Sequence, residues 1–454
     1  MILNRTELKN FIDKIGGAGK KSNKLFSYSQ EISENDFFSL KRNLLGNKNL
    51  LFYSNHPAEK FSFLAFQKIY SVLKNSAEEI NTLEKDISEL PFGIICNTDD
   101  SLIPLFAGGM KFPSGKKDAQ WEEFNQTEWS IPRLIAANVD GNYRLTINFF
   151  DGEIDTALDE AENYLSFKEP DGNVDKNSIL SRRSSGFWEW EEQIEKALLK
   201  ISGNEIKKVV VSRFNILELK NKPRLFPLIR KLESVYENCT IFIYRSGGSL
   251  FFGATPEKLF KAKNGYIECT ALAGSIRRGG DQKEDLRLEN ELLNDHKNLS
   301  EHKSVADYIY SNIEPLAEKI EAPAGPVIKK FANIQHLYTP ISGKLKPGIS
   351  FFAALEKLFP TPAVCGNPKR EAVSLINSLE KFDRGMFAGV VGWFNLKGAA
   401  DFSVGIRAAY LRENILIAYA GCGIVAGSDA ESEFNETNLK LKPILNLFAD
   451  ETFD

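Results

Sequence analysis

The stretch with the clearest chemistry is residues 420–440, AGCGIVAGSDAESEFNETNLK. Glycines at 421 and 423 read as a turn that lets an anionic ligand approach backbone N–H groups, because no Cβ stands in the way. Ser428-Asp429-Ala430-Glu431 fits a capping box, so a helix is expected to begin near Asp429. On that helix Glu433, Glu436 and Lys440 fall at i, i+3 and i+7. Two carboxylates and one ammonium therefore share a stripe just beyond an anion-accepting turn. A solvated charged helix face has the same spacing, and only the rest of the chain can separate the two readings.

The chain has 454 residues, room for one large domain or two to three ordinary ones. Lys plus Arg number 57 against 61 Asp plus Glu, so neither nucleic acid nor an anionic membrane is expected as a partner and any basic site must be local. Cysteines at 96, 239, 269, 365 and 422 show no CxxC spacing, which fits reduced thiols in a cytoplasmic protein better than disulfides or a zinc site. The start, MILNRTELKNFIDKIGG, is polar and helix-like rather than a signal peptide, and no run approaches the ~20 apolar residues of a membrane span. His56, His296, His302 and His336 never pair at metal-ligand spacing. Residues 16–22, GGAGKKS, imitate a phosphate-binding loop, but Lys14 and Lys21 stand where Gly and Ser or Thr belong.

The elements that must position the stripe are read from periodicity. Residues 1–90 mix amphipathic helical patterns with short apolar runs such as Leu50-Leu51-Phe52-Tyr53, and 91–151 is strand-like. A helix is expected over 155–165, and 168–185, rich in Asp, Asn, Ser and Gly, reads as an exposed loop or internal boundary. Next come a helix at 188–201, a strand at 208–214, a helix at 225–236 and a hairpin turning at Ser246-Gly247-Gly248-Ser249. Thr255-Pro256-Glu257 reads as a helix start with Thr as cap. A strand-like run over 267–274 is followed by one long charged helix over 282–313. Residues 335–338 and 358–368 read as irregular, and 385–394, 400–410 and 415–420 as three adjacent strands. Strands and helices without regular alternation favour an α+β architecture.

In order along the chain stand KVVVSR, GATPEKL, TALAGS, Glu301-His302, QHLYTP, PTPAVCG, FDRG, GIRAAY, AGCGIVAGS and ESEFNETNLK. Together these blocks resemble the chorismate-utilising enzymes, the isochorismate, salicylate, anthranilate and aminodeoxychorismate synthases. The resemblance covers the chain from about residue 208 onward. It implies an aminodeoxychorismate synthase-like fold of two packed β-sheets flanked by helices, as one domain over 1–454. Residues 1–185 would be its variable N-terminal part and 186–454 its catalytic core region.

The resemblance also implies roles. Family members that add water carry Lys before the Val-Val-Val-Ser-Arg strand, so Lys208 would take a proton from the attacking water. Glu257 matches the general acid that protonates the departing 4-hydroxyl. A helix start at this point would lower its pKa, so apolar surroundings or the substrate's charge must raise it again. Glu301, Glu436 and, directly or through water, Glu433 would hold Mg²⁺ against a substrate carboxylate. Arg407, Lys440 and the amides around Gly421 and Gly423 would meet the other carboxylate. Thr270, Gly274, His336 and Ala363 fall in matching blocks and would line the pocket, His336 equally well as a hydrogen-bonded core histidine.

The activity so implied is Mg²⁺-dependent isomerisation of chorismate to isochorismate, feeding menaquinone or siderophore synthesis. Ala363 and Val364 resemble the isochorismate synthase version of their block. Salicylate synthase is the alternative, followed by a non-catalytic chorismate-binding subunit. Chorismate is the expected partner, with no glutaminase subunit, in a monomer or homodimer.

Overall fold

The computed structural model describes residues 3–14, 23–44, 50–55, 59–98, 102–166, 178–331 and 334–448. The imitation phosphate loop at 16–22 lies outside them, as do residues 168–177 of the expected exposed loop. The helices are α1 (Arg5–Lys14), α2 (Glu34–Leu44), α3 (Leu83–Ser88), α4 (Ile154–Ser166), α5 (Phe187–Ser202) and α6 (Leu225–Val235). They continue with α7 (Gln282–Asn294), α8 (His296–Ile313), α9 (Phe351–Leu358), α10 (Lys369–Leu379) and α11 (Ala430–Leu445). Strands β1 (Lys24–Glu31), β2 (Leu50–Ser54), β3 (Phe61–Lys74), β4 (Gly93–Cys96), β5 (Leu105–Met110), β6 (Thr127–Val139) and β7 (Asn142–Phe150) come first. Then follow β8 (Ile179–Ser184), β9 (Lys208–Leu219), β10 (Thr240–Ser246), β11 (Ser249–Thr255), β12 (Lys258–Lys263), β13 (Tyr266–Arg277) and β14 (Ala317–Glu321). The last are β15 (Val327–Lys330), β16 (Ile334–Leu345), β17 (Gly366–Asn367), β18 (Val390–Asn395), β19 (Ala400–Val404), β20 (Ala408–Arg412) and β21 (Ile415–Ile424).

Strand β6 is the shared member of two branches. Along one, β4-β1-β7-β6-β3-β2-β10-β11-β20-β21-β9-β8 pair in turn, antiparallel except for β1 with β4. Along the other, β6-β5-β18-β19-β12-β13-β16 pair antiparallel, with β14 and β15 on β16. Side chains alternate across a strand, so each face of the first branch buries its own set. Phe251 joins a core shared with Phe260 and Phe402 of the second branch, whereas Phe252 joins a second core with Leu228 of α6 and Ile444 of α11. Burying each ring contributes about 1.5–3 kcal/mol. The two expected sheets are present, packed through the first core and joined by continuous hydrogen bonding at β6.

Several local expectations are corrected. Thr255-Pro256-Glu257 caps no helix; it links β11 to β12, and the Thr255 hydroxyl accepts from Glu257 N at 3.2 Å. The charged helix over 282–313 is two helices, because Asp295 ends α7 and its carboxylate caps α8 by accepting from Asn298 N. Residues 335–338 lie inside β16, where pairing with β13 and β15 overrides their local irregularity. Part of the expected loop is β8, fully exposed but paired with β9. The single strand over 400–410 is broken at 405–407, and Arg407 takes a φ of 50° there. Gly421 and Gly423 lie within β21 rather than in a turn.

Candidate active site

One cavity, partly open to solvent, gathers most of the expected residues. Glu257, Gly274, Glu301, His336, Ala363, Arg407, Gly421, Gly423, Glu436 and Lys440 line it. Thr270 does not; it sits opposite Pro340 on β13, and its hydroxyl donates to the Lys258 carbonyl. Glu433 and Lys208 are not among its lining residues: Glu433 is buried with its carboxylate paired to Lys297, and the Lys208 side chain is buried against Gly423, which does line it.

Lys208 opens β9, whose period of two puts Lys208, Val210 and Ser212 on one face; Val209 and Val211 enter the core. The Lys208 ammonium is buried and lies 2.8 Å from Glu301 Oε1, on α8. Gly423 makes this pair possible. A Cβ there would stand 2.5 Å from Lys208 Cε and 2.9 Å from Glu301 Oε1. Gly421 likewise leaves room for Ser212, whose Oγ would meet a Cβ at 2.9 Å. The two glycines thus serve by clearing space on a strand, and the carbonyl of Gly421 accepts from Lys440 Nζ at 3.1 Å.

Glu257 is buried, and burial pushes its carboxyl up to about 7. The Thr361 hydroxyl, which donates to Oε1 at 3.3 Å, and the charges of Lys208, Arg407 and Lys440 pull the other way and lose. Glu257 starts no helix, so the conflict foreseen between a helix start and a neutral acid does not arise. The backbone of Glu257 is fixed by its carbonyl, which accepts from Val404 N at 3.0 Å.

On α11 the N-cap is Asp429, accepting from Ser432 N, while Ser428 Oγ accepts from Val425 N; the helix starts where the sequence placed it, one residue off in its cap. Glu436 and Lys440 pair at 2.6 Å. Burial raises the Glu436 carboxyl, but Lys440, Arg407 and His336 outweigh it and leave it lowered. Arg407 is buried, and burial lowers its guanidinium from the ordinary value. His336 is driven down to about 3 by burial, then by Arg407 and Lys440, so its ring is neutral at physiological pH.

Two buried polar atoms at this cavity have no hydrogen-bond partner among the described residues, His336 Nε2 and Ser212 Oγ. An orphaned buried polar atom costs roughly 1–3 kcal/mol, which a bound polar ligand relieves. Gly274, at a φ of 74° in a bulge of β13, lets Asn298 and Leu337 crowd against it beside His336.

Ser212, Thr361 and Arg384 were not singled out in the sequence, although each sits in a quoted block. Arg384 is buried and binds Glu380, the Val364 carbonyl and the Val210 carbonyl, each at 2.5–2.8 Å, while Glu380 Oε1 accepts from Ser212 N at 2.8 Å. That pair ties the segment carrying Thr361 and Ala363 to the strand carrying Lys208.

The arrangement offers a buried neutral-range acid, a buried amine paired to a carboxylate, and cationic groups with oxygen donors nearby. Glu301 and Glu436 line one cavity and are hard oxygen donors of the kind Mg²⁺ takes, and a substrate carboxylate can add a further oxygen. Each expected ligand is, however, engaged by a lysine, and no group of three or more metal-ligating side chains converges among the described residues.

Comparison with known proteins adds sequence evidence. The profile of the family described as chorismate binding enzyme matches residues 10–449. An isochorismate synthase from Bacillus subtilis, MenF, is 33% identical over 354 residues, 77% of this chain and 75% of that protein. The salicylate biosynthesis isochorismate synthase of Pseudomonas aeruginosa is 32% identical over 355 residues, 75% of this chain and 73% of its own length. Among solved structures, the menaquinone-specific isochorismate synthase MenF from Escherichia coli superimposes with a TM-score of 0.81 at 21% identity, covering 98% of this chain and 99% of that one. That last likeness speaks for the fold.

Proposed function

The chain belongs to the chorismate-binding enzyme family, and on that premise we propose that it is an isochorismate synthase, isomerising chorismate by water addition at C2 with loss of the C4 hydroxyl. The observation that carries the reading is a cavity-lining acid within the electrostatic influence of a buried amine packed against Gly423 of the same lining. Glu257 holds a proton near neutrality, and Lys208 supplies a buried amine within electrostatic reach of it. Lys208, once it has given up the proton it shares with Glu301, is the neutral amine that takes a proton from water as the oxygen bonds to C2. The ring double bonds shift, the C4–O bond breaks, and Glu257 gives its proton to the departing hydroxyl, so the water consumed is returned.

Arg407 and Lys440 orient a substrate carboxylate, and Ser212 Oγ and His336 Nε2 supply the polar contacts they otherwise lack. Glu301 and Glu436, with Glu433, would hold Mg²⁺, which when bound would supply positive charge to neutralise the other carboxylate. The names of the relatives from Bacillus subtilis and Pseudomonas aeruginosa support isochorismate as the product, for which menaquinone and siderophore synthesis are the proposed uses. Among the described residues no helix is long and apolar enough to cross a membrane.

Incubation with chorismate and Mg²⁺, followed by chromatography, tests the proposal. Isochorismate as the accumulating product is expected. Salicylate with pyruvate would make the chain a salicylate synthase, and unchanged chorismate bound to the protein would leave a binding subunit.

A further inference from the structure

Lys297 carries a charge that neither its helix nor the proposed reaction uses. It stands in the first turn of α8, where a cation opposes the helix dipole. Its Nζ lies 2.8 Å from Glu433 Oε1, and Glu433, Glu436 and Glu301 all act on its charge. Glu301 lies four residues on along the same helix face. Each of the three carboxylates has one lysine, with Lys208 on Glu301 at 2.8 Å, Lys440 on Glu436 at 2.6 Å and Lys297 on Glu433. Three negative charges are thus met by three positive ones.

A divalent cation entering this group adds two positive charges, and the closest ammonium able to leave will do so. The Lys208 side chain is 2% exposed and that of Lys440 17%, against 44% for Lys297. Lys297 alone of the three can swing its own head into water on its flexible stem, leaving the buried Glu433 carboxylate to be compensated by the incoming cation. We propose that Lys297 is a built-in counter-cation that occupies the carboxylate group until a divalent metal displaces it, weakening metal binding while relieving repulsion among the three glutamates. The inference rests on the reading of Glu301 and Glu436 as metal ligands.

The test is Mn²⁺ binding to the purified full-length protein without substrate, read from the electron paramagnetic resonance signal of free Mn²⁺. Lys297→Met is expected to bind about fivefold tighter than wild type, a figure held down by solvent screening at the half-exposed lysine, whereas Lys297→Arg stays within about twofold. In thermal unfolding, Lys297→Met should melt lower than wild type without metal and gain more from Mn²⁺. Unchanged or weaker Mn²⁺ binding by a folded Lys297→Met protein, in a background where Glu436→Gln does lose metal, overturns the counter-cation alone. No Mn²⁺ binding by wild type overturns both it and the metal reading.

Discussion

Glu257 is the residue on which pH should act most directly. A carboxyl held near 7 by burial is protonated below that pH, the form a proton donor needs. The rate with saturating chorismate should therefore fall as pH rises through about 7. The Thr361 hydroxyl favours the charged form, so Thr361→Val should move this limb to higher pH, as pH–rate profiles will show. Lys208→Ala and Glu257→Gln should each cut turnover by about 10²-fold or more, because each removes one proton-transfer partner. A wild-type rate in either would refute its role. Glu436→Gln should chiefly raise the Mg²⁺ concentration needed for half-maximal rate. The helix-start reading of Thr255-Pro256-Glu257 was reasonable from local chemistry, and strand pairing of β11 and β12 with partners more than a hundred residues away displaced it.

At the scale of elements, the site depends on where strands and helices touch. Gly423→Ala would drive a methyl group into the Lys208–Glu301 pair between β21, β9 and α8. It should lower turnover far more than thermal stability, a contrast that activity assays beside calorimetry can measure. Asp295 ends α7 and caps α8, the helix bearing Lys297 and Glu301. Asp295→Ala should cost about 1 kcal/mol in urea unfolding. The sequence showed a continuous helical pattern across this point, since its apolar period carries on through Asp295. The cap became recognisable only once the bend was fixed by packing of Leu292 and Ile309 into the core. Similarly, the break between β19 and β20 that delivers Arg407 to the cavity has no strong local signal in SVGIRAAY beyond one glycine.

Across the whole molecule, the same burial that tunes Glu257 works against the fold. Its carboxyl rises from the ordinary 4.5 to about 7, so the folded state binds its proton more tightly than the unfolded chain does. Below about pH 4 both states hold the proton and the group is neutral to stability. Stability is then lost as pH climbs from about 4.5 to about 7, by up to about 3 kcal/mol. Glu257→Gln should therefore be more stable than wild type at pH 8 and equal to it near pH 4, as urea titrations at the two pH values can decide. The buried Arg384–Glu380 pair acts oppositely. It joins the 361–366 segment to β9, and Glu380→Ala should cost roughly 3–5 kcal/mol by leaving a guanidinium buried and uncompensated.

By itself the sequence determined the α+β class, the family and the identity of the charged residues around the cavity other than Arg384. Side-chain chemistry and the order of blocks such as KVVVSR and ESEFNETNLK are local properties of the chain. The tertiary structure alone decided which charges meet and which groups are dry. It gave Glu257 a raised carboxyl through burial, gave each glutamate its own lysine, turned Thr270 away from the cavity and left Ser212 Oγ facing it unpaired. Those outcomes depend on desolvation and on distances between residues far apart in the chain, such as Lys208 and Glu301, and no local pattern encodes either.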